Sequence, residues 1–351
     1  MDKDIKKILE IAINAPSGSN SQPWRFEVKG NKVYVIALPE KDHPVLNYHN
    51  RGTWIAHGAL IENIIIVSSS LGYYAKVEIF PNPNQTNLTA IIELVMGLSK
   101  SDPLFCTVPL RTTNRKKYKD IFLTESQKKE LFEPLLLHFK GIKIKFIEDK
   151  DERNIIGESL SVNEILTLEN EKLHKLFFKE IIWSSKKEFQ RTTGFPVKTM
   201  ELKPPQKIML KFLRNWQVMK LFNNINFARL IANDNAKIYS SGAGIVAIII
   251  SNKDEDFLLA GRVMERIWLK ATQIGLSVHP ITGILYFWQA IQNNMIDFFS
   301  QEHIEMVNNA YEKIKKIFNV NENIIALTLR IGPSADPSAY SLKNSPEIIW
   351  L

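Results

Sequence analysis

Two short stretches of this chain combine side chains in patterns that suit ligand chemistry. The first, APSGSNSQPWRF over residues 15–26, gathers small residues, one glycine, two amides and a Pro-Trp pair into one loop. Small side chains such as Pro16, Ser17 and Gly18 let a backbone approach a planar ligand closely, Asn20 and Gln22 offer amide hydrogen bonds to a ring edge, and Pro23-Trp24 fix the exit. The second, RTTNRKKYK over residues 111–119, is the densest basic run. Arg111 offers a planar donor fork that suits a phosphate, Thr112 and Thr113 add hydroxyl and backbone donors, and Arg115 suits a place where negative charge accumulates. Taken singly, the first stretch reads as a turn with a packed Trp24 and the second as a basic turn before a helix. Their pairing gives them weight.

Other patterns carry less. Gly242-Ala243-Gly244 precedes a strand, whereas a dinucleotide fingerprint has a third glycine and opens a helix. The seven histidines are scattered, with His49 and His57 too far apart for a tight helical zinc pair, so no metal site is expected. There is no Gly-x-Ser-x-Gly elbow, and Cys106, the single cysteine, lacks the context of a nucleophile. No catalytic side chain is assigned; a bound cofactor would carry the hard chemistry. The net charge of +8 comes from lysines spread beside glutamates, as in Lys128, Lys129 and Glu130, which is the pattern of solvated helix faces, and no nucleic-acid partner is expected. No apolar run approaches the roughly 20 residues needed to span a bilayer, and the first residues mix Asp2, Asp4 and Glu10 with lysines, unlike a signal peptide. A soluble cytoplasmic protein with no membrane partner is the expectation, and one cysteine fits a reducing compartment.

The elements that must position these residues follow from periodicity. Ile5, Ile8, Leu9 and Ala12 define a first helix stopped by Pro16 and Gly18. Two β-rich runs flank Gly30-Asn31 as a hairpin. Leu60, Ile64, Val67 and Leu71 define a second helix ending at Gly72, and strands are expected at residues 76–80 and 88–95. A helix from Thr124 carries a capping-box pattern with Gln127, and residues 142–147 alternate like a strand. Residues 151–237 read as helical and aromatic-rich, an insertion. Then come a buried strand at 244–251, helices at 254–274, 285–292 and 302–318, a strand at 324–331 and a loop-like tail. An internal echo links the two parts: Gly58, Glu62, Ile64 and Gly72 recur at the same offsets as Gly261, Glu265, Ile267 and Gly275.

The loop string resembles the APSxxNxQPW segment of the nitroreductase family of flavin mononucleotide (FMN) enzymes. In that family the residues matching Pro16, Ser17, Gly18 and Asn20 reach across a dimer interface to the other subunit's flavin. A second family element, an Arg-x-Ser-x-Arg-like run at the N-terminus, holds the FMN phosphate and the pyrimidine side of the ring. Here the matching run, RTTNR, opens the second part of the chain. The whole is similar to the double-length FMN-binding branch typified by the mycobacterial dormancy-associated Acg proteins.

That resemblance implies an α+β nitroreductase fold of two degenerate half-repeats, with central antiparallel or mixed sheets flanked by helices. Residues 1–104 would form the first half and 105–351 the second, with residues 151–237 inserted as a helical lid. One composite FMN site is implied, held by Pro16, Ser17, Gly18, Asn20, Gln22, Arg111, Thr112, Thr113 and Arg115. Thr282 and Gly283 match the family's flavin-facing Pro-x-x-Gly turn, and Lys343 stands where relatives often carry paired arginines. The implied activity is hydride transfer from NAD(P)H to the flavin and on to a small electrophilic acceptor, a nitroaromatic or a quinone, by a monomer that is pseudo-dimeric within one chain. The alternative is an FMN-sequestering protein whose lid leaves little turnover.

Overall fold

The computed structural model describes residues 1–97, 100–191, 193–295, 297 and 299–351. Helix α1 (Asp2–Ala12) buries Ile5, Ile8, Leu9 and Ala12, the stripe its spacing requires. The hairpin of β1 (Trp24–Lys29) and β2 (Lys32–Ala37) turns at Gly30, whose φ of +59° suits glycine. Helix α2 (Arg51–Ser70) follows, then β3 (Tyr73–Ile79) and β4 (Leu88–Met96). Helix α2 begins at Arg51, well ahead of the Leu60 at which its pattern becomes visible. Thr53 to Ile64 are buried without interruption, and a helix enclosed on all sides shows no polar stripe to mark its period.

The second part opens with α3 (Glu125–His138), where Thr124 Oγ1 accepts from the Gln127 amide at 3.2 Å and Gln127 Oε1 accepts from the Thr124 amide at 2.9 Å. Strand β5 (Lys143–Ile147) leads to a helix-rich segment: α4 (Lys150–Glu169), α5 (Glu171–Glu180), the two-residue β6 (Ile181–Ile182), α6 (Ser185–Gln190), the two-residue β7 (Phe195–Pro196), α7 (Pro204–Leu213), α8 (Trp216–Asn223) and α9 (Phe227–Tyr239). Then come β8 (Gly244–Ile250), α10 (Asp254–Gln273), β9 (Ser277–Ile281), α11 (Gly283–Gln292), α12 (Gln301–Ile317), β10 (Ile324–Gly332) and β11 (Ile348–Trp350). Sequence reading misses β9 and β11. Strand β9 is an edge strand containing Pro280, which reads as a turn, and the tail taken as a loop ends in a strand only because it reaches β1.

Two sheets result. The first is mixed, in the order β11-β1-β2-β4-β3, with β11 parallel to β1 (Phe26 opposite Ile348) and the other pairs antiparallel. The second is antiparallel, in the order β5-β8-β10-β9. Strand β8 explains its unbroken apolar run: Val246, Ile248 and Ile250 face the core shared with α1, α2 and α10, while Ile245, Ala247 and Ile249 face a second core with α4, α11 and α12.

Helices α2 and α10 pack tightly against each other. A Cβ on Gly58 would lie 1.9 Å from the Leu258 carbonyl oxygen, and one on Gly261 would lie 2.0 Å from that of Ile55. The helices between α4 and β8 enclose a small core of their own, including Leu168, Phe178, Ile181, Leu213, Met219 and Ala228, while Ile156 and Leu160 of α4 join the second core. Phe189 and Phe212 are 79% and 64% exposed.

Candidate functional site

A cleft of about 260 Å³ opens where the loop after α1, the basic run, the helix-rich segment around Phe195 and Thr199, and the C-terminal tail meet. The loop supplies Asn14, Pro16, Ser17, Ser19 and Asn20. Its backbone is unusual: Ser19, Asn20 and Gln22 all have left-handed φ, at +47°, +54° and +51°. Such residues carry strain that persists only where surroundings enforce it. The Gln22 amide donates to Ser17 Oγ at 3.0 Å, and His57, buried in α2, holds the loop exit through Nε2 to the Pro23 carbonyl at 2.8 Å. Burial pushes the His57 imidazole down to about 4, so it is neutral at pH 7.

Arg111, Thr112, Thr113 and Arg115 enter the cleft from the opposite wall. They leave a short turn, Phe105–Leu110, and are pinned by a bridge from Thr113 to Val278 beside β9 and by Asn114, whose Nδ2 donates to Ser277 Oγ at 2.9 Å and to the Ala335 carbonyl at 2.8 Å. Arg111 lies over the Trp268 ring at 4.3 Å, donates to the Asn14 carbonyl at 2.7 Å, and has its Nε 3.5 Å from Glu265 Oε1. Arg115 donates to the Thr199 carbonyl at 3.3 Å.

The tail closes the cleft with Ala339, Tyr340, Ser341 and Lys343. Lys343 donates to the Ala15 carbonyl at 2.7 Å and to Asn20 Oδ1 at 2.9 Å. Asn20 Nδ2 donates to the Leu342 carbonyl at 2.8 Å, and Gln22 Oε1 accepts from the Asn344 amide at 2.8 Å. Both amides expected to meet a ring edge are thus engaged in anchoring the tail. Burial, with Arg111 nearby, lowers the Lys343 ammonium to about 7. Burial raises the Glu265 carboxyl to about 7, against the opposing pull of Arg111.

Other expected site residues lie apart. Gly18 does not line the cleft, and a Cβ there would meet open space, so the loop's tight geometry is carried by its left-handed neighbours. Gln22 is buried behind the loop. Thr282 and Gly283 start α11, where a Cβ on Gly283 would meet Asn163 Oδ1 at 2.0 Å. They sit near Tyr286 and the half-buried Asp42, which accepts hydrogen bonds from Ser21 and Thr53.

The N-terminal residues 1–50 match a family model described as a putative TM nitroreductase. The chain is also similar to a putative NAD(P)H nitroreductase named acg from Mycobacterium tuberculosis, 24% identical over 286 residues and covering 80% of each chain. The chain is nitroreductase-like. A second M. tuberculosis relative, an uncharacterized protein, is 23% identical over 80% of this chain, and the match spans only 39% of that longer protein. Among solved structures, the FMN-dependent nitroreductase NfnB from Mycobacterium smegmatis in complex with NADPH aligns with 66% of this chain and 87% of its own, at 9% identity and a TM-score of 0.38.

The α+β architecture of this nitroreductase-like chain, with antiparallel and mixed sheets flanked by helices, is the one expected from sequence. Sequence reasoning missed Glu265 as a cleft neighbour, along with Thr199 and Tyr340. A signal for Glu265 was present: it is the acid of the second echo, set among apolar residues of α10, and its counterpart Glu62 is also buried and paired, with Arg262 at 2.7 Å. A buried acid on an apolar helix face requires a cationic partner.

Proposed function

We propose that the chain is an FMN-dependent oxidoreductase that takes a hydride from NAD(P)H and passes electrons to a small electrophile such as a nitroaromatic or a quinone. The observation that carries this reading is the make-up of one cleft, in which Arg111, Arg115, Lys343, Thr112 and Thr113 face a strained loop of small residues. That donor set fits a phosphorylated planar group. Arg111 and Lys343 repel each other and Glu265 lies against Arg111 as an offsetting carboxylate, so a bound anion would relieve the repulsion between these two cations. The names of relatives as putative NAD(P)H nitroreductases support the same class.

FMN, when bound, supplies two-electron transfer between a nicotinamide donor and an acceptor. The residues here would bind and orient it. Arg111, Thr112 and Thr113 would hold the phosphate, Arg115 the edge of the ring that gains negative charge on reduction, and Pro16 and Ser17 would border the ring. Lys343 would add a cation and lock the loop through Asn20.

We also read residues 1–104 and 105–351 as two halves of a single-chain pseudo-dimer. The reciprocal contact of α2 and α10 supports this, because Gly58 meets Leu258 and Gly261 meets Ile55 at equivalent steps before each echo glycine. We assign residues 151–237 as a lid. Phe195 and Thr199 line the cleft, and the Gly194 amide donates to the Ser19 carbonyl at 2.8 Å. Residues 192–196, where Gly194 and Pro196 break the helical pattern, would be its tip, and Thr192 lies outside the described residues.

The test is anaerobic addition of NADPH or NADH to the FMN-loaded protein. Bleaching, followed by recolouring with a quinone or nitroaromatic, is expected, and faster bleaching is expected when residues 185–205 are replaced by a Gly-Ser linker. Flavin that stays oxidised with both nucleotides in both proteins would overturn the proposal.

A further inference from the structure

The geometry of the inserted helices points to a surface that docks on an anionic lipid bilayer, and we propose that the outer faces of α7, α8 and α9 form it. The inner faces of these helices place Leu213, Met219 and Ala228 in the small core. The opposite faces carry large apolar side chains that the rest of the chain leaves open: Ile208 and Phe212 one turn apart on α7, Leu221 on α8, Ile225 just beyond it and Leu230 on α9, all 56–72% exposed. Scattered single apolar residues are common on surfaces, but a set repeated on adjoining helices is not.

Charge selects the partner. Between residues 202 and 233 there is no aspartate or glutamate, while Lys203, Lys207, Lys211, Arg214, Lys220 and Arg229 are basic. Arg229 is paired with Glu302 at 2.6 Å, and among the described residues the other five take part in no ion pair. The neighbouring helices pair their lysines locally, as in Lys175 with Glu171 at 2.7 Å. Apolar side chains ringed by unpaired cations match the boundary between acyl chains and anionic headgroups, with lysine stems lying along the apolar surface. A nucleic acid would use the cations and leave Phe212 and Leu221 uncovered, and a second copy would set like charges against each other. Among the described residues no helix is long and apolar enough to cross a membrane, so the contact is peripheral. This revises the expectation of no membrane partner: a search for continuous apolar runs does not register faces assembled from three short helices.

The test is flotation of the full chain with vesicles of phosphatidylcholine, with and without phosphatidylglycerol. Binding to the phosphatidylglycerol vesicles that weakens with added salt is expected. Two independent double variants, Phe212→Ser with Leu221→Ser and Lys207→Gln with Lys211→Gln, should each lower partitioning by about ten- to thirtyfold. Lys313→Gln with Lys316→Gln, on the exposed face of α12, should leave it unchanged. Retained thermal unfolding temperature in each variant shows that the fold is intact. Absence of flotation, an equal loss in the α12 variant, or self-association or polynucleotide binding in place of flotation would overturn the proposal.

Discussion

Arg111 connects both walls of the cleft: it is stacked on Trp268, hydrogen-bonded to Asn14 and set against Glu265. A lysine could supply its charge but not this fork geometry. Arg111→Ala should weaken FMN binding by about ten- to a hundredfold, the range for a lost charge-assisted contact of about 1.5 to 3 kcal/mol, whereas Lys117→Ala, exposed beside it, should have little effect. Equal retention of flavin in the two variants, measured by fluorescence titration, would refute the phosphate assignment. The neighbouring proton equilibria give a second expectation. Glu265 is raised from 4.5 and Lys343 lowered from 10.5, both to about 7. Their effects on stability oppose each other: below pH 7 the folded state retains a proton on Glu265 that the unfolded chain has lost, so stability falls as pH rises from 4.5 to 7, while the Lys343 contribution makes stability rise from 7 to 10.5. Their effects on anion binding agree, because each deprotonation makes the cleft more negative. FMN affinity should therefore fall about tenfold or more from pH 6 to 8, and Glu265→Gln should flatten part of that slope.

At the scale of elements, the α2–α10 pair shows how two glycines set the distance between helices. A methyl group at Gly58 would meet the Leu258 backbone at 1.9 Å, and neither helix can shift without disturbing the core it shares with both sheets. Gly58→Ala should destabilise the protein by about 3 kcal/mol in urea unfolding, a large overpacking effect. Gly18→Ala, with open space around the new methyl, should change stability by no more than about 0.5 kcal/mol. Comparable losses in the two would mean that close helix approach does not explain the echo glycines. The cleft depends on this packing, since Trp268 and Glu265 hold Arg111 from α10 while Asn63 of α2 donates to the Ala12 carbonyl at 3.1 Å, just ahead of the loop.

For the whole molecule, the tail completes the cleft. After β10 the chain crosses to the first sheet and ends as β11 beside β1, carrying Lys343 to the loop on the way. The loop occurs once in the first part and the basic run once in the second. One FMN per chain is therefore expected when flavin released by denaturation is measured against protein concentration. A reproducible ratio near two would require a second site that neither motif builds.

The sequence alone determined the two chemistry-bearing strings and most of the elements around them. It did so where the signal is local: the stripe of α1 repeats within each helical turn, the Thr124 and Gln127 cap closes over three residues, and the Gly30 turn is set by its own φ. The start of α2 was hidden because total burial removes the period, and β9 and β11 were hidden because edge strands gain their definition from a distant partner. Only the tertiary structure brought Pro16, Ser17 and Asn20 to one cleft with Arg111, Thr112, Thr113, Arg115 and Lys343, and left Gly18, Gln22, Thr282 and Gly283 outside its lining. It also decided that Asn20 and Gln22 anchor the tail and that Glu265 shares the cations' environment. These are contacts between residues far apart in the chain, and side-chain type limits which partners are possible without choosing among them.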